Sequence, residues 1–297
     1  MEDTKQGNFE IDKKITMKDL KTKFSERFQH LKSNLTVGLD PEWNKIPEFL
    51  KKEEFPLFIF CKEIIDATGE FALAFKPNIA FFERFGSKGI QQFEMAVEYM
   101  KHAHPSAIII ADAKRGDLAN TAKEYAAYYF QSLELDSLTI SPYMGKDTII
   151  PYLENNLGSV FVLCLTSNPS ALEFQKWKDD SRPKQYQILH EAVAHLAREL
   201  NQEYKGRVGI VVGGTRPSEI AKIRSQEEEL LFLIPGFGAQ GGSLEEIMEA
   251  SGEFSFINSS RGIHFLSGGR DFADLAHAKA KEITQSMRNW YSIKSKN

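Results

Sequence analysis

The stretch Ala107–Phe130, AIIIADAKRGDLANTAKEYAAYYF, changes character twice. It opens with Ile108, Ile109 and Ile110, the composition of a strand buried on both faces in a parallel sheet. Asp112, Lys114, Arg115 and Asp117 then follow within six positions. Beyond them TAKEYAAYYFQSL takes up the three-to-four spacing of a helix. A strand, a charged turn and a helix in that order form one βα unit, with its polar residues at the carboxyl end of the strand.

Seven further apolar runs of strand length surround this one: LTVGLD (35–40), FALAFKPN (71–78), SLTISPY (137–143), SVFVLCLTS (159–167), RVGIVVGG (207–214), LLFLIPG (230–236) and FSFINSSRG (254–262). Amphipathic stretches lie between them, among them QQFEMAVEYMKHA (91–103) and QILHEAVAHLARELNQEY. Repeated alternation of strand and helix implies parallel strands joined by right-handed crossovers. Eight such units close most simply into a (β/α)8 TIM barrel. An open doubly wound sheet would also put polar residues at the carboxyl edge. The count of eight and the absence of an early G-x-G-x-x-G favour the barrel. The expectation is one α/β domain over residues 1–297, with residues 1–34 as a polar, helical extension covering the bottom of the barrel. The polar segment that follows the fifth run, from Ser167, reads as an active-site loop leading into a helix.

The bulk composition narrows the function. The 297 residues carry a formal charge of −4 with both signs scattered, which argues against a nucleic-acid surface. Cys61 and Cys164 both lie in apolar runs, as small core residues in a reducing compartment would. No apolar run approaches the length needed to span a bilayer, and the N-terminus lacks the apolar core of a secretory signal. A cytoplasmic protein without a membrane partner is expected.

A barrel would gather the polar strand ends at one mouth. The first strand ends in Asp40, the second in Lys76, the third in Asp112 and Lys114. Residues two apart on a strand share a face, so Asp112 and Lys114 should project together. A single such residue is commonly a solvated edge; two cations and two carboxylates on three consecutive strands suggest a charged cluster. Farther along, PGFGAQGG (235–242) follows the seventh strand, and its glycines free backbone N–H groups to approach an anion. NSSRGI (258–263) follows the eighth and supplies Arg261, whose fork suits phosphate. Loops after strands seven and eight hold phosphate in many barrels. The expected ligand is a phosphate ester.

DAKRGDLANTAKEYA (112–126) resembles the D-x-K-x-x-D-[IVL]-x-x-T signature of the orotidine 5′-phosphate decarboxylase family. GLDP, FKPNIAFFE, SPYMG, LTSNPS, PGFGAQGG and NSSRGI resemble further segments of its longer, bacterial-type branch, in order from Thr36 to Ile263. The resemblance implies conversion of orotidine 5′-monophosphate to uridine 5′-monophosphate and carbon dioxide, the last step of pyrimidine nucleotide synthesis, with no metal, pyridoxal or thiamine. It implies Lys114 as proton donor, Asp112 beside the substrate carboxylate, and Lys76 within the charged array. It also implies Asp40 and Lys76 on the ribose hydroxyls, Ser167 on the pyrimidine amide edge, and Gln240 and Arg261 on the phosphate. Asp117, Leu118 and Thr121 would enter the pocket of a neighbouring subunit, giving a homodimer with shared sites; the less favoured alternative is a surface Asp117 that caps a helix, with Thr121 as ordinary first-turn polarity. Leu118 stands where isoleucine is common, and Ser170 where many relatives have glycine. A sugar-phosphate decarboxylase or epimerase would share the D-x-K arrangement but require magnesium. A Schiff-base aldolase would need a neutral amine, against which the flanking carboxylates act. A nucleotide-binding barrel without activity is disfavoured by the intact charged set.

Overall fold

The computed structural model describes residues 19–237 and 243–295. Eight parallel strands run β1 (Leu35–Leu39), β2 (Ala74–Pro77), β3 (Ile108–Arg115), β4 (Ser137–Ile140), β5 (Ser159–Leu165), β6 (Val208–Val212), β7 (Phe232–Pro235) and β8 (Ser255–Ser259). Each pairs with the next in sequence, and the sheet closes on itself. The closing register sets Leu35 beside Ile257 and Val37 beside Ser259. The expected (β/α)8 barrel is therefore the observed fold, with all eight runs as its strands.

The near-continuous apolar character of the strands follows from burial on both faces. β1, β6 and β8 are buried at every position. One set of side chains, including Val37, Phe75, Ile109, Leu138, Val162, Ile210 and Ile234, packs outward against the helical shell. The alternate set, including Ala74, Ile108, Ile110, Phe161, Val211, Leu233 and Phe256, fills the barrel interior. Strand alternation then continues the inward columns to Lys76 on β2, Asp112 on β3 and Thr139 on β4. Apolar residues occupy the lower interior and charges the upper end.

The lower end is closed by the helix Leu20–Leu31. Asp19 caps it, accepting a hydrogen bond from the Thr22 N–H at 2.9 Å. Phe24 and Phe28 stack at 5.8 Å, and Phe24 meets Phe256 edge-on at 5.0 Å. Phe161 also meets Phe256 edge-on, at 5.5 Å, so aromatic packing fills the barrel floor. Arg27 pins the helix to the chain before β2, donating to the Ala72 and Gly69 carbonyls at 2.8 and 2.9 Å.

Two local features depart from plain helical periodicity. The helix after β3 runs Ala119–Ala126 and then widens into a π-type turn over Ala127–Ser132. Within that turn Tyr129 is buried, and its hydroxyl accepts a hydrogen bond from Arg115 Nε at 3.2 Å. The segment after β5 forms a short helix, Ala171–Gln175, an antiparallel bridge between Lys178 and Ile188, and the helix Leu189–Glu203. Cys61 and Cys164 are free and buried, and burial pushes both thiols above their ordinary range. Among the described residues no helix is long and apolar enough to cross a membrane.

Candidate active site

The carboxyl ends of β1 to β4 assemble a charged cluster around one carboxylate. Lys76 Nζ donates to Asp112 Oδ2 at 2.7 Å, and Lys114 Nζ forms an ion pair with Asp112 Oδ1. The Thr139 hydroxyl donates to that same Oδ1 at 3.2 Å. Burial alone would raise the Asp112 pKa, but the two ammonium groups outweigh it and hold the carboxyl well below the usual range. Burial likewise opposes charge on Lys76; Asp112 and Asp40 overcome it and raise the lysine's pKa. Asp40, Lys76, Asp112 and Lys114 thus form a row of alternating sign.

The two lysines differ in access. The Lys76 side chain is 4% exposed, whereas that of Lys114 is 51% exposed. Lys114 is the more accessible of the two at the open end of the barrel, and Lys76 lies deeper, beneath Asp112.

Lys114 reaches Asp112 by a route that strand alternation does not describe. The β3–β4 register shifts between Ala111 and Arg115, and Lys114 takes a left-handed backbone with φ of 49°. Such a conformation is uncommon for a side-chain-bearing residue and costs of order 1–3 kcal/mol. Thr139 offsets it: its hydroxyl oxygen accepts the N–H groups of both Ala113 and Lys114 at 3.0 Å. Beyond the bulge Arg115 turns to the helical shell, paired with Glu83 and lying 5.2 Å over the Tyr125 ring.

Asp40 ends β1 close to this cluster, and its Oδ1 is buried without a hydrogen-bond partner among the described residues. Behind it lies His264, fully buried, whose pKa burial lowers to about 4 against the opposing influence of Asp40. Asp117 is half-buried and accepts a hydrogen bond from the Leu118 N–H at 2.7 Å. Leu118 and Thr121 are exposed on the rim, where the next helix begins. Ser167 follows β5 and packs against Gly213 at the end of β6, where a Cβ would come within 2.7 Å of the Ser167 nitrogen. Arg261 is exposed in the turn after β8. Gln240 lies outside the described residues. Gly236, at the start of the same glycine-rich loop, has φ of 101°, a conformation that favours glycine.

Several polar residues at the barrel mouth had no place in the sequence reading. Thr139 is the main one; alternation through SLTISPY puts it on the inner face, which is the signal that could have found it. Asn258 on β8 and Ser260 just beyond its end are joined by a 3.2 Å hydrogen bond. Gly38 on β1 admits Ser260, whose Oγ would lie 1.9 Å from any Cβ there. Asn78 extends the β2–β3 pairing by a bridge to Asp112.

Comparison with known proteins identifies the family and agrees with the barrel fold. Residues 33–264 match the family model described as "Orotidine 5'-phosphate decarboxylase / HUMPS family". A curated relative from Leptospira interrogans, named orotidine 5′-phosphate decarboxylase, is 50% identical over 92% of this chain and 97% of its own length. Another of the same name, from Phocaeicola vulgatus, is 40% identical over 90% of this chain and 97% of its own. The structure of Leishmania donovani OMP decarboxylase superposes with a TM-score of 0.75 at 34% identity, covering 91% of this chain and 99% of that one. Agreement at this level spans the barrel from before β1 to beyond β8, and the chain belongs to the orotidine 5′-phosphate decarboxylase / HUMPS family.

Proposed function

We propose that this protein removes carbon dioxide from orotidine 5′-monophosphate to give uridine 5′-monophosphate. The observation that carries the reading is the single carboxylate of Asp112 clamped between a buried and an accessible ammonium at the mouth of a closed barrel.

Cleavage of the bond from C6 to the carboxylate releases carbon dioxide and leaves an electron pair on C6. That pair lies in the ring plane, where the pyrimidine π system cannot accept it. Without an organic or metal electron sink, the protein has to stabilise the charge electrostatically and then supply a proton. Lys114 is the donor: its ammonium faces C6 and passes a proton to it, and the amine recovers a proton from solvent. Asp112 fixes that ammonium in place, a role favoured by its bonds to both lysines and Thr139; repulsion of the substrate carboxylate is the other contribution open to it. Lys76 keeps Asp112 ionised and, with Asp40, binds the ribose hydroxyls. The Asp40 oxygen that has no hydrogen-bond partner among the described residues favours that assignment.

Ser167 meets the amide edge of the pyrimidine, and Gln240 and Arg261 hold the phosphate. Binding energy from the phosphate, remote from C6, helps close the mouth over the reacting ring. Asp117, Leu118 and Thr121 serve the site of a second copy in a homodimer, a reading supported by the exposure of Leu118 and Thr121 on the rim. The chain works as one domain in the cytoplasm, without nucleic-acid or membrane partners, consistent with its charge of −4 and buried free thiols.

The direct test is release of carbon dioxide from orotidine 5′-monophosphate by the purified protein with a chelator present. Stoichiometric formation of uridine 5′-monophosphate is expected. A folded protein that is inert under those conditions, yet acts on a sugar phosphate once magnesium is added, would overturn the reading.

A further inference from the structure

Ser167 stands at the start of a segment whose tip, Asn168 to Ser170, is exposed. Behind that tip the chain is tied down at several points. Lys176 pairs with Glu219 on the helix Pro217–Gln226. The Trp177 carbonyl accepts the Leu189 N–H at 3.0 Å, and the Asp179 N–H donates to the Gln187 carbonyl at 2.8 Å. Gln175 lies at the boundary between this anchored base and the exposed tip.

The side chain of Gln175 reaches back to the residue before Ser167. Its Oε1 accepts the Thr166 N–H at 2.8 Å, and its Nε2 donates to the Thr166 hydroxyl at 2.9 Å. That hydroxyl in turn donates to Asn168 Oδ1 at 2.6 Å. One amide therefore fixes both the backbone entering Ser167 and the side chain that follows it. The main chain of Gln175 is held from below by His190, 1% exposed on the helix Leu189–Glu203, with Nδ1 2.9 Å from the Gln175 carbonyl. A carbonyl only accepts, so Nδ1 carries the proton. Burial lowers the His190 pKa, which keeps the ring neutral and its lone pair on Nε2. Gly213 closes the opposite side, leaving no room for Ser167 to retreat toward β6.

We propose that Gln175, backed by His190, is a positioning residue that sets Ser167 against the pyrimidine ring. The proposal rests on the decarboxylase reading above. It concerns how the base-recognising turn is held, and neither residue touches the substrate.

The test compares kinetics on orotidine 5′-monophosphate with calorimetric binding of uridine 5′-monophosphate and of ribose 5-phosphate, which lacks the ring. Gln175→Leu removes both bonds to Thr166 at similar volume. It should raise KM and weaken uridine 5′-monophosphate about ten-fold, while ribose 5-phosphate binding stays within about two-fold. His190→Phe keeps the ring volume without the donor and should shift the same ligand pair in the same sense by about three-fold; His190→Gln, which can still donate, should restore it. Equal weakening of both ligands would mark a merely structural effect and overturn the proposal, as would Gln175→Leu and His190→Phe kinetics that match the unmodified protein. If the unmodified protein itself failed to decarboxylate the substrate, both this proposal and the reading beneath it would fall.

Discussion

Asp112 is pulled in opposite directions, since burial raises its pKa while Lys76 and Lys114 lower it further. The folded value lies below the unfolded one, so its contribution to stability is present at neutral pH and lost on acidification below about pH 4. The residue types of this cluster were legible because charge at the end of an apolar strand is costly without a use. The strained backbone of Lys114 was not legible, because composition carries no sign of a left-handed residue. Thr139 is what makes that backbone tolerable, by accepting the N–H groups of Ala113 and Lys114. Thr139→Val preserves shape and removes the acceptor. It should lower kcat about ten-fold or more and the melting temperature by a few degrees, with little change in product affinity. Steady-state kinetics and a thermal melt check this; an unchanged kcat would contradict the role given to Thr139.

At the level of elements, the strands were easy to read because each is buried on both sides and so is apolar throughout. Alternation put Asp112 and Lys114 on one face, whereas a register shift and the left-handed Lys114 are what join them in the folded chain. The stretch TAKEYAAYYFQSL was harder. Its periodicity suggests one continuous helix, while the buried Tyr129 and its bond to Arg115 accompany a widened turn. The turn between β3 and this helix is also where a homodimer would share its sites. If Asp117 serves a neighbouring subunit, mixing inactive Lys114→Ala and Asp117→Ala chains rebuilds one intact site in each hybrid dimer. Random exchange should then restore about a quarter of normal activity, since half the dimers are hybrids with one working site of two. No recovery, with exchange verified by mass, would place Asp117 in its own chain's site.

The whole molecule separates stability from chemistry along the barrel axis. Aromatic packing and the helix Leu20–Leu31 close one end, and the charged row occupies the other. Glu227, in the turn before β7, lies on the stability side, 3.5 Å from Arg198 Nε. Burial pushes its carboxyl up to about 7, against the opposing influence of Arg198. A raised folded pKa means that its contribution is fully present below the unfolded value near 4.5 and is lost as pH rises through 7. Glu227→Gln should therefore gain stability relative to the unmodified protein across that interval, by on the order of 2 kcal/mol. Thermal melts at pH 4.5 and 7.5 would reveal it, and a difference independent of pH would contradict it. No sequence signal marked this glutamate, because its burial depends on two helices and a turn that meet only in the folded chain.

The central claim is that the Lys114 ammonium, held by Asp112, stands in for a cofactor. The most direct measurement is single-turnover carbon dioxide release from orotidine 5′-monophosphate by Lys114→Ala, alongside its affinity for uridine 5′-monophosphate. Turnover should fall by at least about a thousand-fold while product affinity changes by less than about ten-fold. Carbon dioxide release within ten-fold of the unmodified protein would contradict the claim.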